Sequence, residues 1–311
     1  MVLKSYLAAL ERTQVVLWIT LLAGVANVLA NYAFIFGNWG APELGVRGAA
    51  IASVTSHSVS LVAVVIYVLW KMPQHQMFVR LWRPDFEMLA RVFRLGLPIG
   101  FTGLSEVGLF AASAVMMGWL GTVALAAHGI ALQLASITFM VHLGISNVAT
   151  IRAGNAYGRR DPAHLARGAI TATVMSALVA VLTIFVFVMW PEPLINLFMQ
   201  RDEPARDQIL VIGVGLLAMA SLFQLVDGAQ AVALGILRGV QDTTVPMLLA
   251  GFSYWIVGMP ASYLLGFVFD LEGVGVWLGL VFGLGVAAIL LNARFWGSVL
   301  KRLGPTDPAA A

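Results

Sequence analysis

The sequence has no cysteine and very little charge: of 311 residues, 18 are Lys or Arg and 15 are Asp or Glu, so only 11% are charged. The missing thiols exclude a disulfide framework, a thiolate metal site and a cysteine nucleophile. The scarcity of charge excludes an ordinary water-soluble domain, in which about a quarter of the residues are charged. A mean hydropathy of +0.90 excludes a disordered chain, which needs low hydrophobicity. The basic pI near 9.4 does not signal nucleic acid, because the Lys and Arg residues stand between long apolar runs rather than in a patch. No nucleic-acid partner is expected.

What fills the chain is apolar sequence in long runs. A membrane helix needs about 20 mostly apolar residues, and eight segments qualify: 14–36, 48–70, 95–119, 122–150, 168–190, 208–235, 245–267 and 273–293. Residues 1–13 lack the charged start, apolar core and small-residue cleavage site of a signal peptide. Unpaired backbone groups in hydrocarbon cost several kcal/mol each, so spanning segments are helices or closed barrels. The runs do not alternate in polarity as barrel strands do. The expected fold class is therefore all-α: a polytopic membrane protein with eight transmembrane helices.

The loops set the orientation. With eight spans both termini share one side, and 15 of the 18 basic residues fall on that side. Among them are Lys4, Arg12, Arg80, Arg83, Arg91, Arg94, Arg152, Arg238 and Arg294; the opposite side holds only Arg47, Arg201 and Arg206. Basic loops stay cytoplasmic, so both ends are expected inside, with the protein in the cell (inner) membrane. The long outer loop 191–207 is instead acidic, with Glu192, Asp202, Glu203 and Asp207.

Two regions resemble each other. Residues 10–60 and 240–290 each have a Thr-containing entry, a long apolar run ending near a Tyr (Tyr32, Tyr263) and a restart at Gly-Val (Gly45-Val46, Gly273-Val274). Six spans separate the two starts, so the copies would be parallel, as in transporters built from repeats. On that arithmetic the first two spans end one repeat, the last six form a second, and four further spans belong in front.

Only two of the 15 acidic residues, Glu106 and Asp227, lie within apolar spans. A charge near the bilayer centre costs at least about 2.5–3.5 kcal/mol, so such residues mark ion or substrate paths. Glu106 is 12 residues from Arg94 and Asp227 is 11 from Arg238, which puts both roughly 16–18 Å from the cytoplasmic end of their helices. Thr102, Phe110 and Ser113 share the helical stripe of Glu106; Phe223, Gln224 and Gln230 share that of Asp227. Two acids at one depth can share a proton or bind a small cation. No Lys or Arg lies inside any of the apolar segments, so no buried ion pair is expected to neutralise either acid. His57, His128 and His142 lie in or near spans; hydrogen-bonded neutral rings are the leading reading, with a proton-relay role weighed chiefly for His128. Pro260, following Gly258 deep in the seventh span, is the best hinge candidate, and Pro98 and Pro246 are tolerated where neighbours satisfy the freed carbonyls.

Several motifs in order carry a family resemblance: RVFRLGLPIG at Arg91–Gly100, then GLSEVGLFAASAVMMGWLG, VALAAHGIALQLASITFMVHLGISNVATIRAGNAYGRRD, QLVDGAQAVALGILRGVQDTTVPM and SYWIVGMPASYLLGF. Together they resemble the second half of a MATE (multidrug and toxic compound extrusion) transporter. The resemblance implies a twelve-helix, two-lobe exporter that expels small organic, often cationic, compounds in exchange for Na+ or H+. It would need no cofactor beyond the coupling ion, and a full-length protein would be monomeric in the bilayer. It divides the chain into the last two helices of an N-terminal lobe (1–70), a cytoplasmic linker (71–94), a six-helix C-terminal lobe (95–295) and a cytoplasmic tail (296–311). The acids of its SEVGLFA and LVDGAQ motifs map onto Glu106 and Asp227 as coupling and substrate residues, and as the metal ligands if the ion is Na+. Thr102, Phe110, His128, Phe223, Gln224 and Gln230 are the candidate cavity lining. Phe223 stands where the family often has Tyr, so no hydroxyl is supplied there. The first span of such a protein would bring another membrane acid, which these 311 residues do not contain.

Three other readings remain open from the residues. A lipid-linked oligosaccharide flippase of related fold would need Lys or Arg in its cavity for pyrophosphate. An intramembrane aspartyl protease would need two paired acids, but no Gly-rich acidic motif, GxSxG or HExxH is present. An ion channel would need a filter-like re-entrant segment, and none is evident. The protein is not expected to be an enzyme.

Overall fold

The computed structural model describes residues 2–10, 12–75, 77, 85–200 and 203–302. Of the loop charges named above, Arg80, Arg83, Arg201 and Asp202 lie outside the described residues, as do positions 303–311 of the tail. Eight helices among the described residues are long and apolar enough to cross a membrane, one for each apolar run in the sequence. Compact packing divides the chain into two units, Met1–Asp85 and Phe86–Ala311.

The first unit is a short helix α1 (Val2–Ala9) against a hairpin of α2 (Thr13–Phe36) and α3 (Val46–Lys71). Leu7, Ile19, Val64, Val68 and Met72 form its core. Lipid gives apolar faces no hydrophobic drive to associate, so the hairpin relies on close packing and on polar groups: Ser56 Oγ donates to the Ala23 carbonyl at 2.9 Å. α2 stops where Gly37 turns left-handed, with φ 68°. His57 is exposed on α3.

The second unit holds six spans: α4 (Phe86–Leu120), α5 (Thr122–Gly158), α6 (Pro162–Met189), α8 (Arg206–Gly239) after a short α7 (Pro191–Asn196), a seventh span made of α9 (Thr244–Phe252) and α10 (Met259–Tyr263), and α11 (Glu272–Arg294) with a terminal turn α12 (Leu300–Arg302). Several helices outrun their apolar segments. α4 begins at Phe86 rather than 95, α5 continues to Gly158 and α8 takes in Arg206 and Arg238. Hydropathy marks where lipid ends, whereas the helix continues until a cap stops it; Asp161 begins α6 in this way, accepting from His164 N at 2.9 Å.

α8 and α11 are the most enclosed helices, while α6 turns Leu178, Val181 and Leu182 outward. Small residues permit this enclosure. Ser146 Oγ donates to the Ala231 carbonyl at 2.6 Å and Thr150 Oγ1 to the Gly235 carbonyl at 2.8 Å, so α5 and α8 meet backbone to backbone. The last two spans share a second seam. Gly258, Ser262 and Gly266 face Gly275, Gly279 and Gly283, and a Cβ on Gly283 would lie 2.8 Å from Gly258 Cα. Pro260 cannot donate to the Ile256 carbonyl, and the backbone widens into π turns at Ser253–Gly258 and Leu264–Val268. Pro260 itself is exposed, beside the closest contact of the seam.

Candidate functional site

Span α4 carries Glu106 and α8 carries Asp227, and both line one cavity of about 240 Å³. α4 contributes Glu106, Val107 and Phe110; α5 contributes Leu132, Ala135, Ser136 and Phe139; α8 contributes Phe223 and Asp227. Two carboxylates thus face a chamber whose other walls are aromatic, aliphatic and one hydroxyl. The acids are not equivalent. Asp227 is 2% exposed, its Oδ1 has no hydrogen-bond partner among the described residues, and Glu106 is only half-buried. Among the described residues no third His, Asp or Glu joins them as a metal-ligand group.

Local packing holds Asp227 in place. Its neighbour Gly228 lies against His142 and Ser176 so closely that a Cβ would sit 2.7 Å from both. Those two side chains are hydrogen-bonded, His142 Nδ1 to Ser176 Oγ at 2.7 Å. α8 is therefore pressed onto α5 and α6 immediately beside the acid. Phe223, one turn earlier, packs edge-on against Phe110 across the cavity at 5.8 Å and against Trp277 at 5.7 Å.

The other sequence candidates fall around this chamber rather than in it. Thr102 Oγ1 donates to the Pro98 carbonyl of its own helix at 2.8 Å, and Ser113 Oγ does the same to Phe110. Gln224 is buried and donates to the Ala135 carbonyl at 3.1 Å, bridging α8 to α5. Gln230 donates to the Tyr254 hydroxyl. His128 Nδ1 accepts from Trp277 Nε1 at 3.1 Å, behind the aromatic wall.

The sequence candidates omit Ser136 and Phe139, which line the cavity from α5. Tyr254, fully buried in the seventh span, accepts from the Gln230 amide through its hydroxyl, one turn of α8 beyond Asp227. Its aromatic run gave no polar signal. Arg238 extends α8 beyond its apolar run, and among the described residues neither Glu106 nor Asp227 forms an ion pair. It is partly buried near the end of that helix.

The MatE family matches residues 98–264. The chain is 42% identical over its whole length to "Probable multidrug resistance protein NorM" of Rhizobium meliloti, covering 67% of that protein. It is 42% identical over 94% of its length to the protein of the same name from Agrobacterium fabrum, covering 64% of it. The chain thus spans roughly two thirds of these relatives' length. The eukaryotic MATE transporter AtDTX14 has the same fold, with a TM-score of 0.83 at 19% identity over 96% of this chain and 65% of that one. An outward-facing multidrug resistance MATE family transporter of the MOP superfamily superposes at 0.76 and 20% identity, over 90% of this chain and 62% of that one.

Proposed function

The chain belongs to the MatE family of membrane transporters, and on that premise we propose that it forms the ion-coupling lobe of a multidrug exporter in the inner membrane, with both ends of this chain cytoplasmic. A family of transporters, not of enzymes, sets aside the protease reading. The observation that carries the proposal is that Glu106 and Asp227, from different helices, face a single mostly apolar cavity. Carboxylates there attract either a small cation or an organic one, and the faces of Phe110, Phe139 and Phe223 suit a flat or quaternary organic cation. The coupling ion, Na+ or H+, competes for the same two acids, so loading of one expels the other. Among the described residues the cavity wall carries no Lys or Arg, which argues against an oligosaccharide-pyrophosphate cargo. In the full-length protein, expected to be monomeric, the lobes rock around this site.

The experiment measures binding of tetraphenylphosphonium to the purified chain by calorimetry as Na+ and pH are varied, and efflux of an organic-cation dye from everted vesicles containing the protein. Glu106→Gln and Asp227→Asn are expected to weaken binding at least tenfold and to abolish its ion dependence. Unchanged binding and efflux in both variants, with ion dependence intact, would overturn the proposal.

A further inference from the structure

A second cavity, of about 330 Å³, lies at the end of the lobe where α8 turns into α9; Arg91, Arg94, Gln241, Asp242, Thr243 and Thr244 form its polar wall. Arg94 is 12 residues from Glu106 along α4, about 18 Å at a helical rise, so this cavity is separate from the acid chamber. Its chemistry is opposite. α8 ends at Gly239, Gln241 takes a left-handed φ of 62°, and Asp242 N donates back to the Leu237 carbonyl at 3.0 Å. The reversal aims the start of α9 at the first turns of α4. There the N–H groups of Thr244 and Val245 have no carbonyl partner within their helix. Thr243, at the N-cap position, is only 6% exposed, yet its hydroxyl makes no capping bond. The one carboxylate in the wall, Asp242, is already held by Arg294 Nε at 2.9 Å. Arg91 has only the loose, exposed Glu87 at 4.0 Å, and Arg94 has no ion pair among the described residues. Two guanidinium groups, a helix N-terminus and the non-capping hydroxyl of the buried Thr243 thus line one pocket.

We propose that this cavity binds a phosphate group. The donors suit a tetrahedral dianion or monoanion: arginines for paired oxygens, backbone N–H groups and a hydroxyl for a third. The pocket stands at the end of the apolar stretch of α4, the height of lipid headgroups, so the phosphodiester of an anionic phospholipid and free phosphate present the same chemistry. The inference rests on the membrane-spanning fold and not on ion coupling, so either can fail alone.

The test uses the purified chain in mixed micelles and in nanodiscs. Native mass spectrometry counts retained phosphatidylglycerol against phosphatidylcholine, and calorimetry measures inorganic phosphate. Phosphatidylglycerol is expected to be retained over phosphatidylcholine, and Arg94→Gln to reduce that preference about fivefold, the usual effect of one basic residue beside an anionic headgroup. Thr243→Val, close in shape, is expected to reduce it further, while Glu106→Gln leaves it intact. Phosphate binding as tight as the lipid's, with the same sensitivity to both variants, assigns the site to free phosphate. Arg94 is exposed, so its variant carries the test even if Thr243→Val fails to fold. No preference for the anionic lipid together with no phosphate binding overturns the proposal, as does binding that Arg94→Gln leaves unchanged.

Discussion

Replacing Gly228 by Ala tests whether the packing behind Asp227 is as tight as the distances imply. The new Cβ would meet Cε1 and Nδ1 of His142 and Oγ of Ser176 at 2.7 Å, where ordinary contact begins at 3.4 Å. Those atoms must retreat by about 0.7 Å, on the repulsive wall of the contact potential. Neither has room, since His142 is fully buried and Ser176 is 2% exposed. Overpacking of this kind costs about 1–3 kcal/mol, and breaking the His142–Ser176 hydrogen bond adds about 1 kcal/mol. The loss of roughly 2–4 kcal/mol corresponds to a fall in melting temperature of about 5–15 °C. Thermal unfolding in detergent reads it directly. Gly129→Ala is the control: Gly129 is exposed on α5 with nothing within 4 Å of a Cβ, and that change should be neutral or stabilising by up to about 1 kcal/mol. A double-mutant cycle with Ser176→Ala sharpens the assignment, because removing the obstructing hydroxyl should recover at least about 1 kcal/mol of the Gly228→Ala loss. Equal melting temperatures for Gly228→Ala and Gly129→Ala, or strict additivity in the cycle, would refute the reasoning.

Three further changes probe neighbouring contacts. Tyr254→Phe leaves the buried Gln230 amide without its partner and should cost about 1–3 kcal/mol, read as a lower melting temperature with unchanged helix content. Phe223→Ala removes the ring wedged between Phe110 and Trp277 and should cost about 3–5 kcal/mol; a loss under about 1 kcal/mol would mean that the aromatic wall collapses freely. Asp242→Asn deprives Arg294 of a carboxylate at a site where the two side chains are only 23% and 17% exposed. It should destabilise by about 1.5–3 kcal/mol, and added salt should not mask the difference as it would for a surface pair.

Hydropathy located the spans well because burial in lipid acts on every residue of a run. It likewise isolated Glu106 and Asp227, since a carboxylate in an apolar segment has few bland explanations. What the residues did not disclose depends on which helices touch. Thr102 reads as a polar neighbour of Glu106, yet its hydroxyl serves the Pro98 carbonyl, a bond any membrane Thr can make to its own helix. Gln230 and Tyr254 are 24 residues apart, and only the packing of the seventh span against α8 brings them together. Phe139 and Ser136 line the cavity from a helix whose polar residues showed no acid to mark them. The family resemblance added the pairing of the two acids on one site, which spacing along two separate helices supports only through their common depth.

The seam between the last two spans has a consequence for how they can move. Gly258, Ser262 and Gly266 are spaced by four, as are Gly275, Gly279 and Gly283. Each row is a set of notches repeating every 6 Å or so along its helix axis. A slide of half that distance would drive side chains such as Val276, already against Gly266, into backbone. The two helices therefore behave like toothed racks, stable only in register or one whole step away. Graded sliding between them is opposed by this register, which leaves the widened turns at Ser253–Gly258 and Leu264–Val268 as the places where the seventh span can bend.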